Sequence, residues 1–147
     1  MKVKKLYPYL LVTFQMCSLF FIAVSASVIS NNSAGMLVEA TGIFLAIHAI
    51  YIVKLSNVNI TPTVKKDSEL VTSGPYRIIR HPMYIAQIIA VLPLIIDYFS
   101  WYRLLAFTVL FITLLIKIQY EEKQLVAHFP SYSDYKKKTY KLIPYIY

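Results

Sequence analysis

The sequence predicts an all-α, polytopic membrane protein with about four transmembrane helices. These should form two antiparallel hairpins, followed by a C-terminal cytoplasmic or interfacial helical segment. Hydrophobic residues make up 58% of the 147 residues and charged residues only 15%, whereas soluble domains carry about 25% charge. Four apolar runs recur along the chain, and the basic residues cluster outside them. The length suits one membrane-embedded domain over residues 1–147.

The four apolar runs predict spans at 9–28, 36–55, 82–96 and 101–118. The first run contains no charge, and its 20 residues would rise about 30 Å as a helix, enough to cross a bilayer. A signal peptide is the alternative interpretation of this run, but such apolar regions are shorter, about 7–15 residues. The third run would rise only about 22 Å, so its polar beginning should lie recessed below the headgroups.

Polar breaks between the runs predict the connections and the orientation. The breaks at 30–33 and 97–100 are short enough for tight turns, whereas 56–81 forms a long loop and 119–147 a C-terminal segment. Of the 15 Lys and Arg residues, only Arg103 does not lie near the N-terminus, the long loop or the C-terminal segment. Both termini and the long loop, with any active site beside that loop, are therefore predicted to be cytoplasmic in an integral membrane protein. Membrane lipids then explain the net charge of +8, and no nucleic acid is expected as a partner.

Cysteine, glycine and histidine usage excludes several kinds of site. The single cysteine, Cys17, leaves no internal disulfide and no Cys-based zinc site. The three glycines do not form a glycine-rich nucleotide loop. The three histidines have no carboxylates at ligand spacing, so no metal site is predicted.

Two polar features near the cytoplasmic side need an explanation. His81 precedes Pro82, which suits the first position of a helix, and the free N–H groups there favour a negative group. Further on, Lys117 and Glu121 share one apolar stripe if the fourth helix continues, whereas Glu122 should point elsewhere. Both features also have ordinary interpretations, as an interfacial anchor and as a pair of opposite charges.

Two glutamines inside the predicted spans are weaker candidates for site residues than His81, Lys117 and Glu121. Gln15 and Gln87 are interpreted first as interhelical hydrogen-bonding residues. Gln87 lies one to two turns from His81, within reach of the same cavity.

The order of residues in two blocks strongly resembles the isoprenylcysteine carboxyl methyltransferase family. The first block, Asn59 to Tyr84, contains Gly-Pro-Tyr-Arg and Arg-His-Pro-x-Tyr. The second consists of Glu121-Glu122, Leu125, Phe129, Tyr132, Tyr135 and Leu142-Ile143-Pro144. The resemblance covers roughly 57–144. These motifs are specific to the superfamily but not to its substrate, because related membrane enzymes that act on phospholipid amines or small thiols share them.

The resemblance implies S-adenosylmethionine as the cofactor and a lipophilic or prenylated acceptor. Its implied cofactor contacts are Ser68, Glu69, Leu70, Val71, Tyr76, His81, Pro82, Met83, Tyr84 and Glu121. The implied position of the arginine that orients a substrate carboxylate is Lys117, which keeps the charge but lacks the bidentate fork. Ala86 stands where the family often has glycine, and it is expected to narrow the cavity.

Three functions follow from these patterns. The first is O-methylation of a carboxylate on an isoprenylcysteine-like acceptor, which needs no general base because the carboxylate is ionised at pH 7. The second is N- or S-methylation of a phospholipid amine or a small hydrophobic thiol, which Lys117 leaves open. The third is a non-enzymatic membrane scaffold. The cost of keeping the ionisable groups of Arg80, His81 and Glu121 at membrane depth without a function argues against it.

The basic residues generate a prediction about topology. A reporter fused after Tyr147 should read as cytoplasmic, because the positive-inside rule retains the basic C-terminal segment on that side. The same reporter inserted after Asn31 should read on the opposite side. A C-terminal reporter on the extracytoplasmic side would contradict the predicted orientation.

Overall fold

The computed structural model describes residues 2–25, 27–54, 59, 61–64 and 68–146. These residues form five α-helices: α1 (Lys2–Ser25), α2 (Ser33–Val53), α3 (Pro82–Asp97), α4 (Trp101–His128) and α5 (Tyr132–Lys137). A 3-10 helix, Gly74–Arg77, precedes α3. No strand occurs within the described residues, so the predicted all-α class is confirmed.

Three helices are long and apolar enough to cross a membrane: Leu6–Ser25, Ser33–Val53 and Trp101–His128. The shorter helix α3 is apolar as well. Many large hydrophobic side chains face outwards, among them Phe20 and Phe44. Outward-facing apolar side chains on all sides are typical of a bundle in lipid. The prediction of a polytopic membrane protein is therefore confirmed.

The helix bounds differ from the predicted spans in three places. Helix α1 begins at Lys2, before the predicted 9–28, because lysine favours a helix as well as leucine does. Helix α2 begins at Ser33 because the Asn32 side chain accepts the Gly35 N–H at 2.8 Å and caps it. Helix α4 continues to His128, and only α5 is helical within the rest of the C-terminal segment.

Both short connections lie at the same end of the bundle, which we call the hairpin end. The Asn32 side chain donates to Asp97 Oδ1 at 2.7 Å, and Arg103 Nε donates to Ser25 Oγ at 3.1 Å. Consecutive helices therefore run in opposite directions, as predicted. Each helix nevertheless packs mainly against a helix that is not its hairpin partner: α1 against α4, and α2 against α3.

The α2–α3 contact depends on small residues. A Cβ atom on Gly42 would lie 2.6 Å from the backbone nitrogen of Ala90 and 2.9 Å from the carbonyl oxygen of Ala86. This close backbone approach leaves Ala86 only 1% exposed, against α2. The expectation that Ala86 narrows the cavity is therefore wrong, because the residue faces the neighbouring helix.

The opposite end, which we call the cavity end, is closed by segments far apart in sequence. Residues 78–81 pair with the C-terminal segment through a parallel bridge between Ile79 and Tyr140. The Arg80 N–H donates to the Tyr140 carbonyl at 2.8 Å, and the Tyr140 N–H donates to the Ile78 carbonyl at 3.0 Å. The start of α3 is thereby fixed to the end of the chain.

Candidate functional site

A cavity of about 280 Å³ lies at the cavity end, near the lower limit of small-molecule sites, which span about 300–1,000 Å³. Ten of the eleven predicted site residues line it: Ser68, Glu69, Leu70, Val71, Tyr76, His81, Met83, Tyr84, Lys117 and Glu121. The structure thus brings together residues from the long loop, α3 and α4. Pro82 is buried at the start of α3 and does not belong to the lining.

Seven further polar residues line the same cavity: Gln15, Asn59, Thr63, Arg80, Gln87, Tyr132 and Tyr135. The resemblance included Arg80, Tyr132 and Tyr135 in its motifs but assigned them no contact. Gln87 was predicted to lie within reach of the cavity near His81, and its place in the lining confirms this. Gln15 was interpreted only as an interhelical residue, because one glutamine in an apolar helix gives no further signal.

Tyr84 contacts three other polar side chains of the lining. Its ring stacks on His81, with centroids 5.5 Å apart and planes at 7°. Its hydroxyl donates to Glu121 Oε2 at 2.8 Å, and the Lys117 ammonium lies 5.4 Å from its ring centroid, within cation–π range. Tyr84 therefore links the predicted acceptor side of the cavity, at Lys117, to the predicted cofactor side, at His81 and Glu121.

Glu122 points away from the cavity that Lys117 and Glu121 line, as expected, but its side chain is buried, which the sequence did not predict. Its Oε1 accepts Arg80 Nε at 2.7 Å and lies 3.5 Å from His81 Nε2, while its Oε2 lies 3.2 Å from Lys136 Nζ. The helix rotation that leaves Glu121 partly open to the cavity places Glu122 against α3 and α5. A carboxylate in that position is stabilised by the two cations around it.

The start of α3 offers fewer free amides than the sequence predicts. The N–H groups of Tyr84 and Ile85 donate to the His81 carbonyl, at 3.1 and 3.3 Å. The His81 N–H donates to the Lys141 carbonyl at 3.2 Å, and Pro82 has no N–H. Binding of a negative group here therefore depends mainly on side chains.

Lys117 is the most deeply buried cation of the site, at 2% exposure. Its ammonium donates to Gln15 Oε1 at 2.5 Å. Gln15 lies in the middle of α1 and lines the cavity. Helix α1 therefore contributes to the cavity wall through this contact.

Two buried hydroxyls of the lining, Tyr76 Oη and Tyr132 Oη, have no hydrogen-bond partner within the described part of the chain, whereas His81 Nε2 faces the Glu122 carboxylate at 3.5 Å. Burial raises the pKa of the Tyr76 and Tyr132 hydroxyls well above the usual range, and nearby glutamates raise it further. Both hydroxyls therefore keep their protons at neutral pH and can donate. Buried polar atoms of this kind cost stability unless a partner binds them.

Comparison with protein families identifies one match. The model of the family described as phospholipid methyltransferase matches residues 30–131, more than half of the chain. The match includes α2 to α4 and leaves out α1 and α5. It confirms the resemblance at the level of the superfamily that this family shares with the isoprenylcysteine enzymes, and the isoprenylcysteine branch stays a prediction. Comparisons with curated proteins and with solved structures found no match.

The buried position of Glu122 generates a prediction about stability. Glu122→Ala should lower the free energy of unfolding by about 3–5 kcal/mol, because it leaves the Arg80 guanidinium buried without its carboxylate. Lys123→Ala changes the exposed neighbouring residue and should stay within about 0.5 kcal/mol of the wild type. Denaturant unfolding in detergent, followed by circular dichroism, measures both. Equal stability of the two variants would contradict the structural role of Glu122.

Proposed function

The chain belongs to the phospholipid methyltransferase family, and from the residues of its cavity we propose that it methylates a carboxylate on a lipophilic acceptor with S-adenosylmethionine. The family makes the chain a membrane methyltransferase. The observation that carries the proposal is the cavity in which the Tyr76 and Tyr132 hydroxyls, which lack a hydrogen-bond partner among the described residues, lie beside His81, Glu121 and Lys117. The scaffold interpretation receives no such support.

The polar groups of the cavity fit S-adenosylmethionine. The Tyr76 and Tyr132 hydroxyls are donors for its carboxylate or its adenine nitrogens. Glu121 is about one-third open to the cavity and can accept from an ammonium or from ribose hydroxyls. The cofactor supplies an electrophilic methyl group on a positively charged sulfur. The stacked rings of His81 and Tyr84 present flat, polarisable surfaces to such a group.

The acceptor side supports a carboxylate. The Lys117 ammonium lies over Tyr84, which itself contacts His81 and Glu121, so an anion at Lys117 would lie beside the proposed cofactor residues. A carboxylate is already ionised at pH 7, so its methylation requires positioning and no proton transfer. The chain's contribution to rate is then the orientation of two bound molecules.

An amine acceptor is the second candidate, and one observation favours it. Glu121 is a carboxylate partly open to the cavity and would attract a protonated amine. The ammonium of Lys117 opposes this, because it repels a second cation. A methyl-transfer screen with the detergent-purified protein separates the candidates, with prenylated cysteine, phosphatidylethanolamine and lipophilic thiols as acceptors. Methylation of the carboxylate supports our proposal, and methylation of the amine or thiol alone contradicts it.

Two tyrosine variants test the cofactor side. Tyr132→Phe should weaken S-adenosylmethionine binding roughly 2- to 10-fold, because it removes one hydrogen-bond donor. It should leave the stability of the ligand-free protein unchanged or higher, because the hydroxyl it removes is buried without a partner. Calorimetry and thermal unfolding measure the two effects.

Tyr135→Phe is the matched control for Tyr132→Phe. Its hydroxyl donates to the Tyr76 carbonyl at 2.6 Å, so its loss should lower the stability of the ligand-free protein by about 0.5–1.5 kcal/mol. Wild-type cofactor affinity in Tyr132→Phe would remove that hydroxyl from the proposed site.

Variants of Lys117 test the acceptor side. Lys117→Met should lower kcat/KM for a carboxylate acceptor roughly 10- to 150-fold, because a charge-assisted contact is lost, and cofactor affinity should stay nearly unchanged. Lys117→Arg should retain activity, because a guanidinium suits a carboxylate. If Lys117 only neutralises Glu121, Lys117→Met should instead lose cofactor binding. Unchanged carboxylate kinetics in Lys117→Met would rule out the substrate role.

A further inference from the structure

A chain of hydrogen bonds runs from Lys117 on α4 through Gln15 on α1 to α3. The Lys117 ammonium donates to Gln15 Oε1 at 2.5 Å, Gln15 Nε2 donates to Gln87 Oε1 at 2.6 Å, and Gln87 Nε2 donates to the Met83 carbonyl at 3.1 Å. An ammonium can only donate, so Gln15 must present its carbonyl oxygen to Lys117 and its amide NH2 to Gln87. The orientation of both amides therefore follows from the charge of Lys117.

This chain belongs to the cavity and not only to the packing between helices. Gln15, Gln87 and Lys117 all line the cavity, and Gln15 is only 7% exposed. They come from α1, α3 and α4, respectively. Helix α1 lies outside the residues that the family model matches, so Gln15 is a contribution of this chain that the family match does not cover.

The chemistry of an amide suits the task of holding a cation for a ligand. A carboxylate at position 15 would attract the ammonium strongly and cancel its charge towards any other anion nearby. An amide oxygen accepts the hydrogen bond through a dipole and leaves the formal charge in place. The second amide, Gln87, fixes Gln15 through a short bond and is itself held by the backbone of α3.

We propose that Gln15 is a positioning residue that holds the Lys117 ammonium in a fixed place on the cavity wall for an anionic acceptor. This inference rests on the proposed function. Gln15 acts through Lys117, so its replacement changes the binding of the acceptor and not that of the cofactor.

Gln15→Glu is the variant that tests the proposal, since it keeps the size of the side chain and replaces the amide by a carboxylate. We expect the KM for a prenylated cysteine carboxylate to rise roughly tenfold or more, because the new carboxylate competes for Lys117. The Kd for S-adenosylmethionine should stay within about twofold, because Gln15 lies on the acceptor side. Thr13→Val is the matched control on the exposed face of α1, where the Thr13 hydroxyl donates to the Tyr9 carbonyl of the same helix, and its kinetics should equal those of the wild type.

Two further measurements distinguish a role of Gln15 in positioning Lys117 from a role in helix packing alone. Gln15→Met removes the amide and keeps an unbranched side chain, so it should also raise the acceptor KM and provides the test if Gln15→Glu does not fold. A neutral thiol acceptor should show little change in Gln15→Glu, because it does not use the charge of Lys117. Equal losses for all acceptors and for cofactor binding in both variants would show a purely structural role and overturn the proposal.

The failure of this inference is distinguishable from the failure of the proposed function. A wild-type protein that methylates the carboxylate, with an unchanged KM in Gln15→Glu, overturns the role of Gln15 alone. A wild-type protein that binds S-adenosylmethionine but methylates no anionic acceptor overturns both, and it does so before any variant is made.

Discussion

The buried ion pair between Arg80 and Glu122 is the contact on which the cavity end depends. Its two charges lie at the start of α3 and near the end of α4, 2.7 Å apart, with both side chains almost fully buried. Removing either partner would leave a charge in an apolar surrounding, which is far more costly than losing a surface pair. The guanidinium also donates to the carbonyls of Lys136 and Thr139, so the same pair holds the C-terminal segment in place. Through this pair, three separate parts of the chain form one wall of the cavity.

The same constraint explains how one helix can serve both structure and chemistry. Glu122 faces inwards and is neutralised by Arg80 and Lys136, whereas its neighbour Glu121 is partly open to the cavity beside Tyr84. Two adjacent carboxylates thus have different surroundings because a helix turns about 100° per residue. His81 lies between them, 3.8 Å from Glu121 and 3.5 Å from Glu122. The structural pair therefore also fixes the position of a residue that lines the cavity.

The sequence predicted the fold class and most of the lining, for physical reasons that can be named. Apolar runs of membrane length predict spans because the bilayer leaves few alternatives to a helix. The motifs around His81 and Glu121 predicted a shared site, and the structure brings these residues together. The burial of Glu122 was not predicted, because apolar spacing alone cannot reveal its partner Arg80, which lies 42 residues earlier in the chain.

Contacts between distant residues were the part that could not be predicted. Gln15 and Lys117 are 102 residues apart, and their contact depends on α1 packing against α4 and not only on the hairpin turns. Ala86 faces α2 because Gly42 permits a close backbone approach, a pairing that neither residue indicates by itself. Among the described residues the Tyr132 hydroxyl has no hydrogen-bond partner, and this too follows only from the folded chain.

The most direct test of the central claim is a crystal structure of the protein grown in a lipidic phase with S-adenosylhomocysteine. The account predicts density for the ligand in the cavity at the start of α3, with its polar groups in contact with Tyr76, His81 and Tyr132 and with Glu121. The Arg80–Glu122 pair should remain intact beside it. Ligand bound elsewhere, or an unfilled cavity at a saturating ligand concentration, would contradict the assignment of this cavity as the cofactor site.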